Sequence, residues 1–353
     1  MADLKMLEAF CQAEGISGHE KEAVRVMKSY LEGYCDEIFY DNLGSIIAHK
    51  KGNGPKVLFT GHIDEIGFVV KEITEDGFLR IHPVGGWSTH KMMAQPVTVT
   101  TRTGRKCPGI IGDTKKPGSD RNSLMPMSDA YVDLGVASKQ EAIDLGIRIG
   151  DPICPKADFT VMNNPNYVSA KAWDDRVGAA ICTDVIRAMK DEVLNCDLYV
   201  AGTVQEEVGC RGAKTVGQMI APDLSIAIDV GGENDEPNAP KGHAILGSGA
   251  AICIQDMSAL AHSGLVEHLE KICEEHNIKH TVYVLGYGGT DSGELSKVGA
   301  GSVNLTISIP SRHIHSHNSM IHLGDYDAIV SLLCEFVKAF DQDVLEALKE
   351  AKR

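Results

Sequence analysis

Three segments of the chain, KVLFT (56–60), LYVAGT (198–203) and LSIAID (224–229), are apolar on most successive residues, and VNLTISIP (303–310) is a fourth strand-like run. A strand with one face in water alternates apolar with polar side chains, so the first three must be buried on both faces. Helical spacing fills the intervals. Val177, Ile181, Val185 and Ala188 mark one helix, Leu265, Leu269 and Ile272 another, and Ile329, Leu332, Phe336 and Ala339 a final one. Buried strands alternating with amphipathic helices predict an α/β fold, a mixed and largely parallel sheet sandwiched by helices.

Residues 72–162 break that rhythm. Short runs (FLRIHPV, PVTVTT, GIIGD, AYVDLGV, GDPICP) are divided by Gly and Pro, and helical periodicity is confined to SKQEAIDLG. The pattern reads as a β-rich insertion that divides the α/β unit into parts 1–71 and 163–353. Upstream, Ser17 and Glu20 have the spacing of a capping box ahead of Val24, Met27 and Leu31, and KVLFTGHIDEIGFVV (56–70) reads as one buried strand interrupted by a polar cluster.

Charge and cysteine usage narrow the function classes. A net charge of −15 weighs against nucleic acid or an anionic membrane as partner, because both are usually bound through clustered Lys and Arg. No apolar run reaches the length of about 18 residues that a membrane helix needs, and MADLKMLEAFCQAEG begins as an amphipathic helix, so a cytoplasmic location is expected. The ten cysteines lack paired short spacing, and Cys182, Cys253, Cys273 and Cys334 occupy apolar positions, which predicts reduced core thiols.

The chemistry-bearing residues stand where these elements end. One strand runs into His62 and Asp64, a second into Glu206 and Glu207, a third into Asp229, and a fourth is followed by His313, His315 and His317; Asp174 and Asp175 open a helix. Ligands of open α/β sheets gather at the carboxyl ends of strands, so all of these can converge on one edge. Histidines and carboxylates without cysteine suit Zn²⁺, Co²⁺ or Mn²⁺. The carboxylates outnumber what one catalytic zinc takes, about three protein ligands in all, so two ions roughly 3.5–4 Å apart are expected, with one carboxylate bridging them. On an extended backbone Glu206 and Glu207 would point to opposite faces, so one can coordinate while the other serves as general base.

Taken singly, each residue has a plainer reading. Asp174 or Asp175 is an N-cap, His62 a hydrogen-bonded core histidine, Asp229 a turn residue, and the two glutamates a solvated loop. The coincidence of five element ends carrying ligand-type residues argues against taking them singly.

GHIDEIGF, AWDDRVG, TVQEEVGCRGA, AIDVG, GGTDSG and RHIHSH, in this order, resemble the glutamyl aminopeptidase family of dinuclear metallopeptidases, which includes tetrahedral aminopeptidases and some cellulase-named members. The resemblance implies a zinc-exopeptidase-like catalytic domain interrupted by a barrel-like dimerisation domain. It implies Asp174 as the bridging carboxylate, His62 and Asp229 on one ion, Glu207 and His315 on the other, and Glu206 as general base. Asp64 would orient His62 through its far ring nitrogen or tune its basicity. The implied reaction removes N-terminal residues from short peptides, in a homo-oligomer of the dodecameric kind built from dimers. Two stretches depart from the family pattern: GDTKKPGSDRNS (112–123) lacks the histidine of a Lys-Pro-Pro-His segment, and His317 stands where a small residue is usual. Two rival readings are a deacylase or carboxypeptidase-like hydrolase of N-acyl amino acids, with the same ligands, and an endoglucanase-like glycosidase. The latter would leave the histidines without a task and calls for an aromatic-lined cleft in a chain that is 5% aromatic.

Overall fold

The computed structural model describes residues 2–114, 124–233, 235–238 and 241–352. Most of the GDTKKPGSDRNS stretch therefore lies outside the described residues. An eleven-stranded mixed sheet carries the α/β unit. Its centre is four parallel neighbours in the order Asp197–Thr203, Lys56–His62, Leu224–Gly231 and Val303–Arg312. Antiparallel strands flank this centre on both sides, from Ile46–Lys50 at one margin to Ser319–His322 and Tyr167–Ala170 at the other. No helix among the described residues is long and apolar enough to cross a membrane.

Continuous apolar runs are explained by helices on both faces. Val57 and Phe59 turn into the larger core with Val177, Ile181 and Val185 of helix Trp173–Ala188 and Phe336 of helix Leu323–Ala339. Leu58, one residue out of phase, packs on the other side against Ala213, Val216 and Ile220 of helix Arg211–Ile220. Gly61 lets the first of these helices come close: a Cβ there would lie 2.3 Å from the backbone nitrogen of Ala179.

Six strands, Gly67–Ile73, Leu79–Val84, Pro96–Thr100, Lys106–Asp113, Ala130–Asp133 and Pro152–Pro155, close into a barrel. Phe68, Val70, Leu79, Val97, Val99, Ile111, Val132 and Ile153 fill it. Closure removes the edges that short strands would otherwise expose.

Three local expectations fail, each for a physical reason. KVLFTGHIDEIGFVV is not one strand: its halves belong to the sheet and to the barrel, and residues 63–66, with Asp64 and Glu65 at their centre, are the crossing. The Ser17–Glu20 capping box does not form. Helix Lys21–Leu31 starts without a side-chain cap, because Ser17 donates instead to buried Asp64 (2.6 Å) and Glu20 accepts the N–H groups of Gly18 and Gln205. A buried carboxylate must find donors, and here it outcompetes the cap. Finally, Leu323–Ala339 is not the last helix: Asp341 accepts the N–H of Val344 and opens Gln342–Glu350, which buries Leu345 and Leu348.

The crossing is clamped by Arg176, which is fully buried. Its guanidinium donates to the carbonyls of Ile63 (2.6 Å), Phe10 (2.6 Å) and Ala13 (2.9 Å), and Lys171 pairs with Glu65 at 2.6 Å. One arginine thus ties the N-terminal segment to the start of the barrel. Removing it takes this donor from the carbonyls of Ile63 and Phe10, while Ala13 keeps Lys171, and leaves part of a buried charge uncompensated. Arg176→Met should cost about 3–5 kcal/mol of stability, read as a lowered urea midpoint; an unchanged midpoint would show that the crossing is held by packing alone.

Candidate metal centre

The parallel centre of the sheet delivers its polar ends to one edge. Thr203 is in register with His62, so the Glu206–Glu207 turn follows one strand directly beside the histidine that ends its neighbour. Gln205 adopts φ +58, and the chain turns instead of continuing extended. That turn removes the opposition of facing expected for adjacent strand residues. Both glutamates then line one cleft of about 460 Å³ with His62, Asp174, Asp229 and His315.

Asp174 stands between the histidines. Its Oδ1 is 3.0 Å from His62 Nε2 and its Oδ2 is 3.4 Å from His315 Nε2. Glu207 Oε2 lies 3.5 Å from His315 Nε2, while Asp229 Oδ1 and Glu206 Oε2 lie 3.9 and 3.8 Å from His62 Nε2. Asp175, joined to Asp174 by a cis peptide bond, takes the plainer role: it accepts the N–H of Gly178 in the helix and that of His62, both at 3.0 Å.

Each imidazole is fixed from behind. His62 Nδ1 meets the carbonyl oxygen of Asp64 at 3.1 Å, and His315 Nδ1 meets that of Gly86 at 2.7 Å. A carbonyl can only accept, so Nδ1 of each ring carries a proton and Nε2 is the atom turned toward Asp174, available as a ligand once it gives up its own proton. His315 sits at φ +55, a conformation that costs a non-glycine residue of order 1–3 kcal/mol and that its Gly86 bond helps to hold. The Asp64 carboxylate stands 3.5 Å from His62 Nδ1, the far ring nitrogen, and its hydrogen bonds go to Ser17 and to the backbone N–H groups of Glu206 (3.0 Å) and Glu207 (3.2 Å). It therefore shapes the turn that presents the glutamates.

Charge is crowded here. Burial pushes the carboxyls of Glu207 and Asp229 well above the usual carboxylate range and that of Glu206 up to about 7, and neighbouring acids add to this. Against the opposing effect of burial, Asp174 and Asp64 raise His62, and Asp174 and Glu207 raise His315 to about 9. Asp174 itself is held low by the two histidines despite its burial. Glu207 Oε1 is buried without any hydrogen-bond partner. An excess of buried carboxylate with an orphaned oxygen and two aimed imidazoles fits a cationic occupant, and a donor set of N and O suits a borderline divalent metal. His317 is elsewhere: fully buried against the Trp87 ring, it is pushed down to about 4 by burial and is neutral packing. His313 is exposed, 3.8 Å from Glu236.

A family model described as M42 glutamyl aminopeptidase matches residues 44–332. The chain belongs to the M42 glutamyl aminopeptidase family. This M42 chain is thus a peptidase of the metalloaminopeptidase kind. It is 30% identical to the glutamyl aminopeptidase of Lactococcus lactis over 97% of its own length and 98% of the relative's. A TET aminopeptidase from a marine-sediment Thaumarchaeota archaeon superposes with a TM-score of 0.94 at 34% identity, covering 98% of both chains. The TET1 peptidase of Pyrococcus horikoshii, which can assemble into a tetrahedron or a large octahedral shell, superposes with a TM-score of 0.86 at 30% identity, covering 96% of this M42 chain and 99% of that one.

Sequence reasoning passed over Gly85 and Gly86. A Cβ on Gly86 would lie 2.8 Å from His315 Nδ1, and one on Gly85, at φ +80, 3.1 Å from Glu207 Oε2. Paired glycines in PVGGW signal close approach, but not to what. Asp64→Asn keeps the shape of the anchor while removing its charge and one acceptor. It should lower metal affinity or turnover by about 10–100-fold, the usual effect of losing such a supporting partner, in a protein whose circular dichroism is unchanged; full activity would mean that the Glu206–Glu207 turn holds itself.

Proposed function

We propose that the chain removes N-terminal residues from short peptides with a pair of divalent metal ions, Zn²⁺ or Co²⁺ ahead of Mn²⁺. His62 and Asp229 would hold one ion, Glu207 and His315 the other, and Asp174 both. The observation that carries this reading is Asp174, whose two oxygens each face a different imidazole Nε2, at 3.0 and 3.4 Å. When bound, such ions supply Lewis-acid chemistry, polarising the scissile carbonyl and acidifying water.

The remaining work falls to the chain. Glu206 reaches the same cleft and is raised by burial to about 7. A carboxylate poised near neutrality can take the proton from the attacking water and return it to the leaving amine. Asp64 keeps Glu206 in place through the backbone, and the Nδ1 partners keep the imidazoles from rotating. Leu285, Tyr287 and Ile314 line the same cleft and would meet the substrate's side chain. A glycosidase reading gives the histidine pair no role. An N-acyl hydrolase would share every ligand and differ in refusing a free amine.

Assembly as a homo-oligomer belongs to this proposal as well. Support comes from the P. horikoshii relative and from exposed Ile110, Leu124 and Ile149 on the inserted segment, which would serve as the dimer contact.

A panel of aminoacyl chromogenic substrates, assayed after chelation and reconstitution, tests the reading. Activity should vanish with the metal and return as two equivalents per chain of Zn²⁺, Co²⁺ or Mn²⁺ are restored; hydrolysis that survives thorough chelation would refute it. Glu206→Gln should lower kcat by about 10²–10⁴-fold, the range for a lost general base, with both equivalents of metal retained.

A further inference from the structure

The two oxygens of Glu206 face different neighbours. Oε2 looks toward His62 at 3.8 Å, whereas Oε1 lies 3.1 Å from the sulfur of Cys210. Cys210 caps helix Arg211–Ile220 at φ +50, four residues along the same turn. Asp291, from the GGTDSG loop, completes a group in which one donor atom from each of the three residues lies within 4.8 Å of the others.

Asp291 is the unexplained member. It is 3% exposed, and its Oδ2 accepts a 2.6 Å hydrogen bond from Thr203. Its Oδ1 is buried with no hydrogen-bond partner at all. The nearby Thr60 hydroxyl has no partner at normal distance either and acts on Asp291 only as a weak donor. Burial raises Asp291 to about 6 against the lowering effects of Thr203, His62 and Thr60. Burial, Glu206 and Asp291 together push the Cys210 thiol up as well. A buried acid with an unbonded oxygen, beside a thiol and a second acid, matches what a cation requires.

We infer that Glu206, Cys210 and Asp291 form a third cation site, distinct from the dinuclear pair, selective for a thiophilic divalent metal such as Zn²⁺ over Mg²⁺ or Mn²⁺. Cys210 supplies the selectivity, since the donors assigned to the dinuclear site contain no sulfur. On binding, the thiol proton passes to solvent and the thiolate coordinates. Occupancy engages the carboxylate proposed as general base, so zinc beyond two equivalents inhibits. That consequence, though not the binding itself, rests on the reading of Glu206 given above.

Sulfur coordination provides a readout that the other two ions cannot produce. Protein carrying two equivalents of Zn²⁺ is titrated with Co²⁺, and thiolate-to-cobalt charge-transfer absorption is followed in the near ultraviolet. The wild type should develop the band and Cys210→Ser should not, while Asp291→Asn should weaken cobalt binding by at least ~10-fold. In parallel, Zn²⁺ beyond two equivalents should slow the wild type relative to its own rate at two equivalents, and should not slow Cys210→Ser relative to that variant's own rate at two equivalents. No band in the wild type, or a band that persists in Cys210→Ser, overturns the site. A Cys210-dependent band without zinc inhibition upholds the site and overturns the role of Glu206.

Discussion

Parallel pairing of four strands is the constraint on which the rest of the molecule depends. Because Asp197–Thr203, Lys56–His62, Leu224–Gly231 and Val303–Arg312 run the same way, their carboxyl ends share one edge, and whatever follows them must meet there. Their register is set by packing. Val57 and Phe59 belong to one core and Leu58 to another, and a slip of one residue would exchange the two faces. The position of His62 is therefore a consequence of where Val57, Leu58 and Phe59 are buried. Core and site are specified by the same side chains.

What gathers at that edge is unfavourable by itself. Glu206, Glu207 and Asp229 are buried among one another, and each is driven toward its neutral form by desolvation. The scaffold answers with directed hydrogen bonds. Asp64 gathers the N–H groups of Glu206 and Glu207, Asp175 those of His62 and Gly178, and Ser17 abandons a helix cap to serve Asp64. Such bonds orient the acids but do not neutralise them. Positive charge comes from His62 and His315, both raised by these acids, and Glu207 Oε1 is left buried and unbonded.

The sequence made some of this legible and hid the rest. Apolar runs and helical spacing were sufficient for the layered fold, and a change of rhythm was sufficient for the inserted strands, because burial imposes period on composition. Residue type and position at strand ends pointed to His62, Glu206, Glu207 and Asp229 as a group. Spacing could not separate Asp174 from Asp175, since both fit a helix start. The division depends on backbone angles that only the folded chain displays, with both residues departing from helical φ/ψ within Trp173–Ala188. Nor could local pattern foresee that Ser17 would bond to a residue 47 positions away, or that a glycine carbonyl from the barrel would hold His315. Such partners are created by tertiary contact and leave no periodic trace.

The barrel is consequently more than an appendage to the sheet. It leaves the α/β unit just after Asp64 and Glu65, and the chain returns after Pro155 through Thr160–Val161 and Tyr167–Ala170, the sheet strands that lead into Lys171 and Asp174. Gly86, from the inserted segment, gives His315 its Nδ1 partner, and the adjacent Trp87 covers His317. Lys171 pairs with Glu65, and Arg176 binds the carbonyl of Ile63 from the helix that Asp174 begins. A displacement of the barrel would therefore withdraw the support of one imidazole and disturb the helix that Asp174 begins. The two halves of the centre, His62 from the sheet and His315 from the loop leaning on the barrel, meet only when both units are seated, and Asp174 is the residue at which that seating is registered.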